Sequence, residues 1–388
     1  MRLTIAMLTL AYVLSQFYRA FLAVMAPTLA QDLGVLPQVL AQASGWWFLA
    51  FALAQLPVGW ALDRIGPRIT VAGLMAVAAV GAVVFARATG PGQINLAMVL
   101  IGIGCSPVLM GAYFIFAREF PARQFGTLAG MVIGVGSLGN LAASAPLTWA
   151  VGLMGWRGAM WGLAGVTLTV ALVLAVLVRD PARVQTQGQG TIWTLLGMRR
   201  LWPIFVLMAA CYAPAAGLRG LWAGPYMAEV FAADAARIGL VTLIMGLAMV
   251  AGNFAYGPLE KRLHSRKWLN FGGNALSLTC LLALMVLPGQ SWILSAALLA
   301  GVGFFGASFP MVIAHGRAFL PPALVGRGVT LLNLFGIGAA GLMQMATGQV
   351  YAALPGQHQT AYAALFAAYA VLVIAGLTVY LWSQDRTD

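Results

Sequence analysis

Charged side chains are scarce in this sequence. Only 8% of its 388 residues are Asp, Glu, Lys or Arg, and just 9 are acidic. An average soluble domain carries roughly 25%. A soluble fold of this length would have to cover its surface with polar groups that the chain does not have. A soluble enzyme, a nucleic-acid-binding domain and a disordered chain are therefore excluded. Cysteine is equally sparse. Cys105, Cys211 and Cys280 stand singly in apolar segments, which excludes a disulfide framework or a cysteine metal site. No phosphate-cradling glycine loop is present, so neither direct drive by ATP nor a bound cofactor is expected. What the chain has instead is 62% hydrophobic residues. That composition describes a polytopic helical membrane protein.

Twelve apolar segments are long enough to span a bilayer, at about 20 residues each. They cover about 4–26, 40–61, 69–86, 94–116, 126–150, 157–178, 202–224, 238–258, 268–287, 292–314, 326–348 and 360–382. Lipid offers no hydrogen-bond partner to backbone, so each is expected to be helical. Twelve such spans use roughly 250 residues and leave no room for a separate soluble domain. Met1-Arg2-Leu3-Thr4 runs straight into the first span with no small-x-small cleavage site, so that span reads as a retained helix and not a signal peptide. The longest polar connection, residues 179–200, predicts two six-helix bundles, 1–178 and 201–388. With the N-terminus inside, 16 of the 21 basic residues fall on the cytoplasmic side, and only Arg87, Arg157 and Arg237 sit in outer loops. The net charge of +12 thus reflects topology, with both termini cytoplasmic, and not affinity for nucleic acid.

The halves repeat. Arg19 answers to Arg219, Pro27 to Pro225, Gly59 to Gly257, Arg118 to Arg317 and Pro121 to Pro321. Gly126, Gly134, Gly136 and Gly139 in span 5 match Gly328, Gly336, Gly338 and Gly341 in span 11 with the same spacing. All offsets lie between 198 and 202. Both halves begin on the same side, so the repeat is parallel, about an axis along the membrane normal. The glycines let helices pack closely and slide.

Between spans 2 and 3 stands Gly59-Trp60-Ala61-Leu62-Asp63-Arg64-Ile65-Gly66-Pro67-Arg68, with a degenerate echo at Gly257-Pro258-Leu259-Glu260-Lys261-Arg262. This loop resembles the signature loop of the major facilitator superfamily, and with the repeat the resemblance covers essentially the whole chain. It implies a twelve-helix transporter working by alternating access. It also implies a gating latch: Asp63, with Gly59, Arg64, Gly66, Arg68 and Arg118, closes the cytoplasmic side through charge-assisted bonds. Two patterns depart from relatives of the drug-exporting type. Leu100 to Cys105 in span 4 contains no arginine, and Gly134 to Asn140 does not reproduce the Gly-Pro-x-x-Gly-Gly pattern of proton antiporters.

Arginine inside a span costs at least about 2.5 kcal/mol at the helix centre and marks a candidate functional site. Arg19 and Arg219 occupy repeat-related positions, and if both face a water-lined cavity they suit a small organic anion. Snorkelling to the interface, or pairing with Asp32 or Glu229, is the structural alternative. Tyr18-Arg19, with Pro27 eight residues on, resembles the first helix of organic-anion and organophosphate carriers of the same superfamily. Tyr18, Tyr113, Trp222 and Tyr256 are candidate lining residues, and Gly224-Pro225 is read as a helix interruption serving as an outer gate. No carboxylate or histidine is clearly deep in the bundle, and His315 at the end of span 10 is a weak candidate for a proton carrier. Met245 and Met249, one turn apart in span 8, offer soft donors for Cu(I) as a rival cargo, and a non-transporting scaffold is the rival of another class. The expected state is a monomer in the lipid bilayer, in a bacterial inner membrane.

Overall fold

The computed structural model describes residues 2–120, 122–181, 192–321 and 324–386. These are helices joined by short turns, and they fall into two compact units, Met1–Gln185 and Thr186–Asp388. Of the expected linker, residues 182–191 lie outside the described residues.

Unit 1 holds α1 (Arg2–Tyr18), α2 (Leu22–Leu33), α3 (Pro37–Arg64), α4 (Pro67–Ala86), α5 (Pro91–Cys105), α6 (Val108–Glu119), α7 (Ala122–Ala142) and α8 (Ala145–Leu177). Unit 2 holds α9 (Ile192–Leu196), α10 (Trp202–Gly217), α11 (Ala223–Phe231), α12 (Ala235–Leu263), α13 (Arg266–Val286), α14 (Trp292–Phe305), α15 (Phe309–Arg317), α16 (Val325–Ala352) and α17 (His358–Tyr380). Among the described residues, ten helical stretches are long and apolar enough to cross a membrane, or eleven when the bent pair of α1 and α2 counts as one. A turn at Gly155 (φ 70°) divides α8, whose first part follows the shorter apolar helix α7 after a two-residue turn.

Local chemistry explains the helix starts. α3, α4 and α5 each begin on proline, which is tolerated in the first turn where an N–H has no helical partner. Asp234 caps α12 by accepting from Arg237 N, and Ser265 caps α13 by accepting from Trp268 N.

The repeat reappears as matched interruptions. The first crossing of unit 1 breaks at Arg19–Phe21, with a 49° bend, and that of unit 2 breaks over Leu218–Trp222. The fourth crossings break at Ser106–Pro107 and at Gly306–Ser308. The glycine-bearing helices pack on the interrupted first crossings in both units, α7 on α1 and α16 on α10. A Cβ at Gly139 would stand 3.0 Å from Phe17 N, and one at Gly336 would stand 3.3 Å from Met208 O. Those two are not repeat mates, but they serve the same helix pair.

A second device is built twice. Asp180, just after α8, accepts a hydrogen bond from Arg68 N (2.8 Å) in the first turn of α4. Asp385, just after α17, accepts from Lys267 N (3.0 Å) in the first turn of α13 and from Ser265 Oγ (2.5 Å). Carboxylates at helix N-termini gain from the exposed amides and the helix dipole. The rest of the C-terminal segment is clamped alongside. Lys267 Nζ donates to Leu381 O and Ser383 O, and the ring of fully buried His315 contacts Gln384 O through Nε2 and Tyr380 Oη through Nδ1.

Gly66 adopts φ 109°, and a Cβ there would lie 2.6 Å from Asp180 Oδ1. Gly66→Ala is therefore expected to lower the melting temperature of the detergent-solubilised protein, at a cost of about 1–2 kcal/mol. Asp180→Ala combined with it should recover part of the loss, and full wild-type stability of the single variant would contradict the packing. Desolvation works to raise the Asp385 carboxyl, but the bonds from Ser265 and Lys267 N win and hold it below its ordinary value. A depressed carboxyl contributes above the ordinary value of about 3.9 and loses its contribution as pH falls through the native value. Asp385→Asn should accordingly raise trypsin cleavage at Lys267 and Arg386 at neutral pH.

Candidate functional site

Arg19 sits in the gap between α1 and α2. Its Cζ lies 5.4 Å from the Trp47 ring centroid and 5.2 Å from that of Phe51. These two rings, one helical turn apart on α3, stack at 5.2 Å. Aromatic faces hold a guanidinium by cation–π attraction, about 0.5–2 kcal/mol depending on desolvation. The contact holds the guanidinium against both rings and fixes its direction. Tyr18 beside it is turned into the unit. It is 1% exposed and shares a 2.9 Å hydrogen bond with Thr167 of α8. Tyr113, on α6, is half-buried.

Arg219 lies inside a five-residue π turn, Leu218–Trp222, and is 3% exposed. The Gly224-Pro225 interruption expected from the sequence falls one turn earlier than its residues. Both belong to the regular helix α11 and are buried. The cause is still Pro225: it has no N–H for Leu221 O, four residues back, and its ring crowds the preceding turn. The chain widens there, and Ala223 N donates to Leu218 O, five residues back.

The wide turn is braced by side chains of α16 and α17. Gln344 Nε2 donates to Gly217 O (3.5 Å), and Tyr369 Oη donates to Gln344 Oε1 (3.1 Å). Trp222 Nε1 donates to Thr347 Oγ1 (3.0 Å). Trp222, fully buried, packs its ring on Tyr351 and Tyr362.

The matching break in the fourth crossing of unit 2 has its own brace. Tyr256 Oη donates to Phe305 O (2.6 Å), a carbonyl left open where α14 ends. Tyr256 therefore pins a helix break. Met245 and Met249 pack against Gly303 of α14, where a Cβ would stand 3.0 Å from Met245 O and Met249 Cγ. They serve as interhelical filler in this arrangement. In the signature loop, Gly59 faces open space, Arg64 and Arg68 are exposed, and Arg118 stacks on Phe114 (4.3 Å). The Asp63 side chain lies outside the described residues.

The two acids named as structural alternatives for the arginines are engaged by other groups. Asp32 accepts from Arg157 and Trp156. Glu229 accepts from Tyr351 and Tyr362 and lies against His358. Sequence reasoning missed the Trp47/Phe51 clamp, the Gln344–Tyr369 brace and the Glu229 cluster. The available signals were aromatics four residues apart on span 2 and a glutamine inside apolar span 11. Trp222→Phe keeps one aromatic ring but removes the Thr347 bond, worth about 1 kcal/mol, together with the buried pyrrole half of the indole. It is expected to lower the melting temperature by a few degrees, whereas Thr347→Val in that background should add nothing further.

Comparison with known proteins bears on the family and the fold. A protein of Agrobacterium vitis named as a tartrate transporter is 22% identical over 84% of this chain and 78% of its own length. A protein of Cupriavidus necator named as a sulfoacetate transporter is 24% identical over 68% of this chain and 65% of its own length. Among solved structures, a bacterial homolog of the human lysosomal transporter Spinster superposes with a TM-score of 0.75 at 17% identity, over 97% of this chain and 95% of that one, a likeness of fold. The sequence model of the Major Facilitator Superfamily matches residues 8–335. Matched helix breaks, a built-twice capping device and a family match over most of the sequence lead to one conclusion: this chain is a multi-pass membrane transporter of the Major Facilitator Superfamily.

Proposed function

We propose that the protein carries a small organic anion, a carboxylate or phosphate ester, across a bacterial inner membrane by alternating access, with both termini in the cytoplasm. The observation that carries this reading is the placement of Arg19 and Arg219. Each is the arginine of an interrupted first crossing, Arg19 between aromatic faces and Arg219 in a buried π turn. Irregular backbone at membrane depth is tolerated where it is buried in protein or lines a cavity, and an arginine there is costly unless it serves binding. A guanidinium offers planar, bidentate hydrogen bonding that fits a carboxylate. The names of the two relatives, for tartrate and sulfoacetate, support an anionic cargo. The signature loop supports a cytoplasmic gate, with Gly66 and Arg68 seated on Asp180. The packing of Met245 and Met249 lends no support to copper.

The test is uptake of radiolabelled tartrate and sulfoacetate into proteoliposomes. Arg19→Lys and Arg219→Lys keep the charge and lose the planar fork, and each is expected to reduce uptake at least tenfold, about 1.4 kcal/mol. Size-exclusion profiles should stay unchanged. Wild-type uptake in both variants would refute the assignment of these arginines, and Met245→Leu should leave uptake intact.

A further inference from the structure

Of the acids paired among the described residues, one in unit 2 is held differently. Asp32 pairs with Arg157 and Glu260 with Arg266, while Asp180, Asp234 and Asp385 accept from amides in the first turn of a helix. Each of those carboxylates faces a permanent cation or the positive end of a helix, which favours its ionised form. Glu229, in α11, is gathered by Tyr351, Tyr362 and His358. Tyr351 Oη lies 2.5 Å, Tyr362 Oη 2.9 Å and His358 Nδ1 3.1 Å away, all from the same atom, Oε2. None of these three partners carries a fixed charge.

Such a cluster can take a proton without displacing a cation. A proton from bulk water that adds to the imidazole leaves a histidinium–carboxylate pair, and one that adds to the carboxyl leaves a neutral acid among hydroxyls. The two groups stand 3.1 Å apart, close enough to share one proton. Histidine is the side chain whose ordinary exchange falls near neutral pH. Solvent reaches the cluster from one side, because the side chains of His358 and Glu229 are 47% and 22% exposed. Tyr362 is fully buried on the other side. The ionisable groups on the elements packed around α11 are few. Tyr226 of α11 itself bonds Pro288 O and Ser295, and α12 brings Asp234, its own N-cap, and Arg237, which stacks on Trp292. α14 brings no charged residue, and the π turn brings Arg219.

The cluster also touches the arginine's turn. The Trp222 ring lies 5.5 Å from that of Tyr351 and 6.2 Å from that of Tyr362, and Trp222 shares its π turn with Arg219. We infer that Glu229 and His358 form a proton-binding site, linked through Tyr351, Tyr362 and Trp222 to the turn that carries Arg219, so that a proton moves with the transported solute. The proton site stands on its own geometry, and its link to cargo rests on the anion reading above.

Two measurements on the full-length protein test this and separate the two readings. In the first, the three histidines are labelled with carbon-13 and titrated by NMR, with His358 assigned by His358→Gln. Glu229→Gln is expected to change the His358 titration curve, because the carboxylate 3.1 Å from its Nδ1 is gone. An unmoved midpoint overturns the proton site. In the second, proteoliposomes take up tartrate with and without an inward-directed proton gradient. The gradient is expected to raise initial uptake several-fold in the wild type. Glu229→Gln should retain gradient-independent tartrate counterflow and lose that stimulation. Stimulation that persists in Glu229→Gln, or is absent from the wild type, overturns the coupling. Tyr362→Phe, which removes one hydroxyl and keeps the ring, should weaken the stimulation and serves if Glu229→Gln does not fold. If uptake of both tartrate and sulfoacetate is absent or indifferent to Arg219→Lys, the anion reading falls, and a shifted His358 midpoint keeps the proton site.

Discussion

A helix that breaks inside a membrane exposes amides and carbonyls that lipid cannot satisfy, and that requirement governs this structure. The first and fourth crossings of each unit break at corresponding positions. In unit 2 the open groups are met by specific side chains. Gln344 takes Gly217 O and Tyr256 takes Phe305 O. Each brace comes from a different helix, so a break also ties its neighbours together. Pro225 supplies the cause at one of these sites, since its missing N–H leaves the preceding turn no regular register to adopt.

Charge follows backbone. A guanidinium buried in a regular, lipid-facing helix would be an unrelieved cost, whereas at an interruption it shares a polar environment already formed by the backbone. Arg19 and Arg219 occupy such interruptions by different means. Arg19 is steadied by two aromatic faces, and Arg219 is carried in a wide turn that Trp222 anchors to Thr347. The aromatic contacts restrict the motion of the Arg19 side chain.

Much of this was legible in the residues. The scarcity of charge named the class, the offsets near 200 exposed the repeat, and the Gly59–Arg68 loop pointed to the superfamily that the family match establishes. The arginines stood out because they interrupt apolar runs. The rest was hidden for physical reasons. Trp47 and Phe51 look like any aromatic pair on an apolar helix until the chain brings Arg19 over them. Tyr18 resembles a lining residue by neighbourhood, but its direction depends on Thr167, which lies 149 positions away in sequence. Pro225 announced a disruption, and only the hydrogen-bond register reveals that the disturbed turn lies before it. Glu229 and His358 are 129 positions apart and read separately as loop-end polar residues.

The segment after α17 is part of the fold. Ser383 O is held by Lys267, Gln384 O by His315, and the Asp385 carboxylate seats on the first turn of α13. This end of the chain is accordingly a poor handle. A purification tag or fluorescent reporter spliced directly after Tyr380 would strip three anchors from one bundle at once, whereas one attached beyond Arg386 leaves them in place.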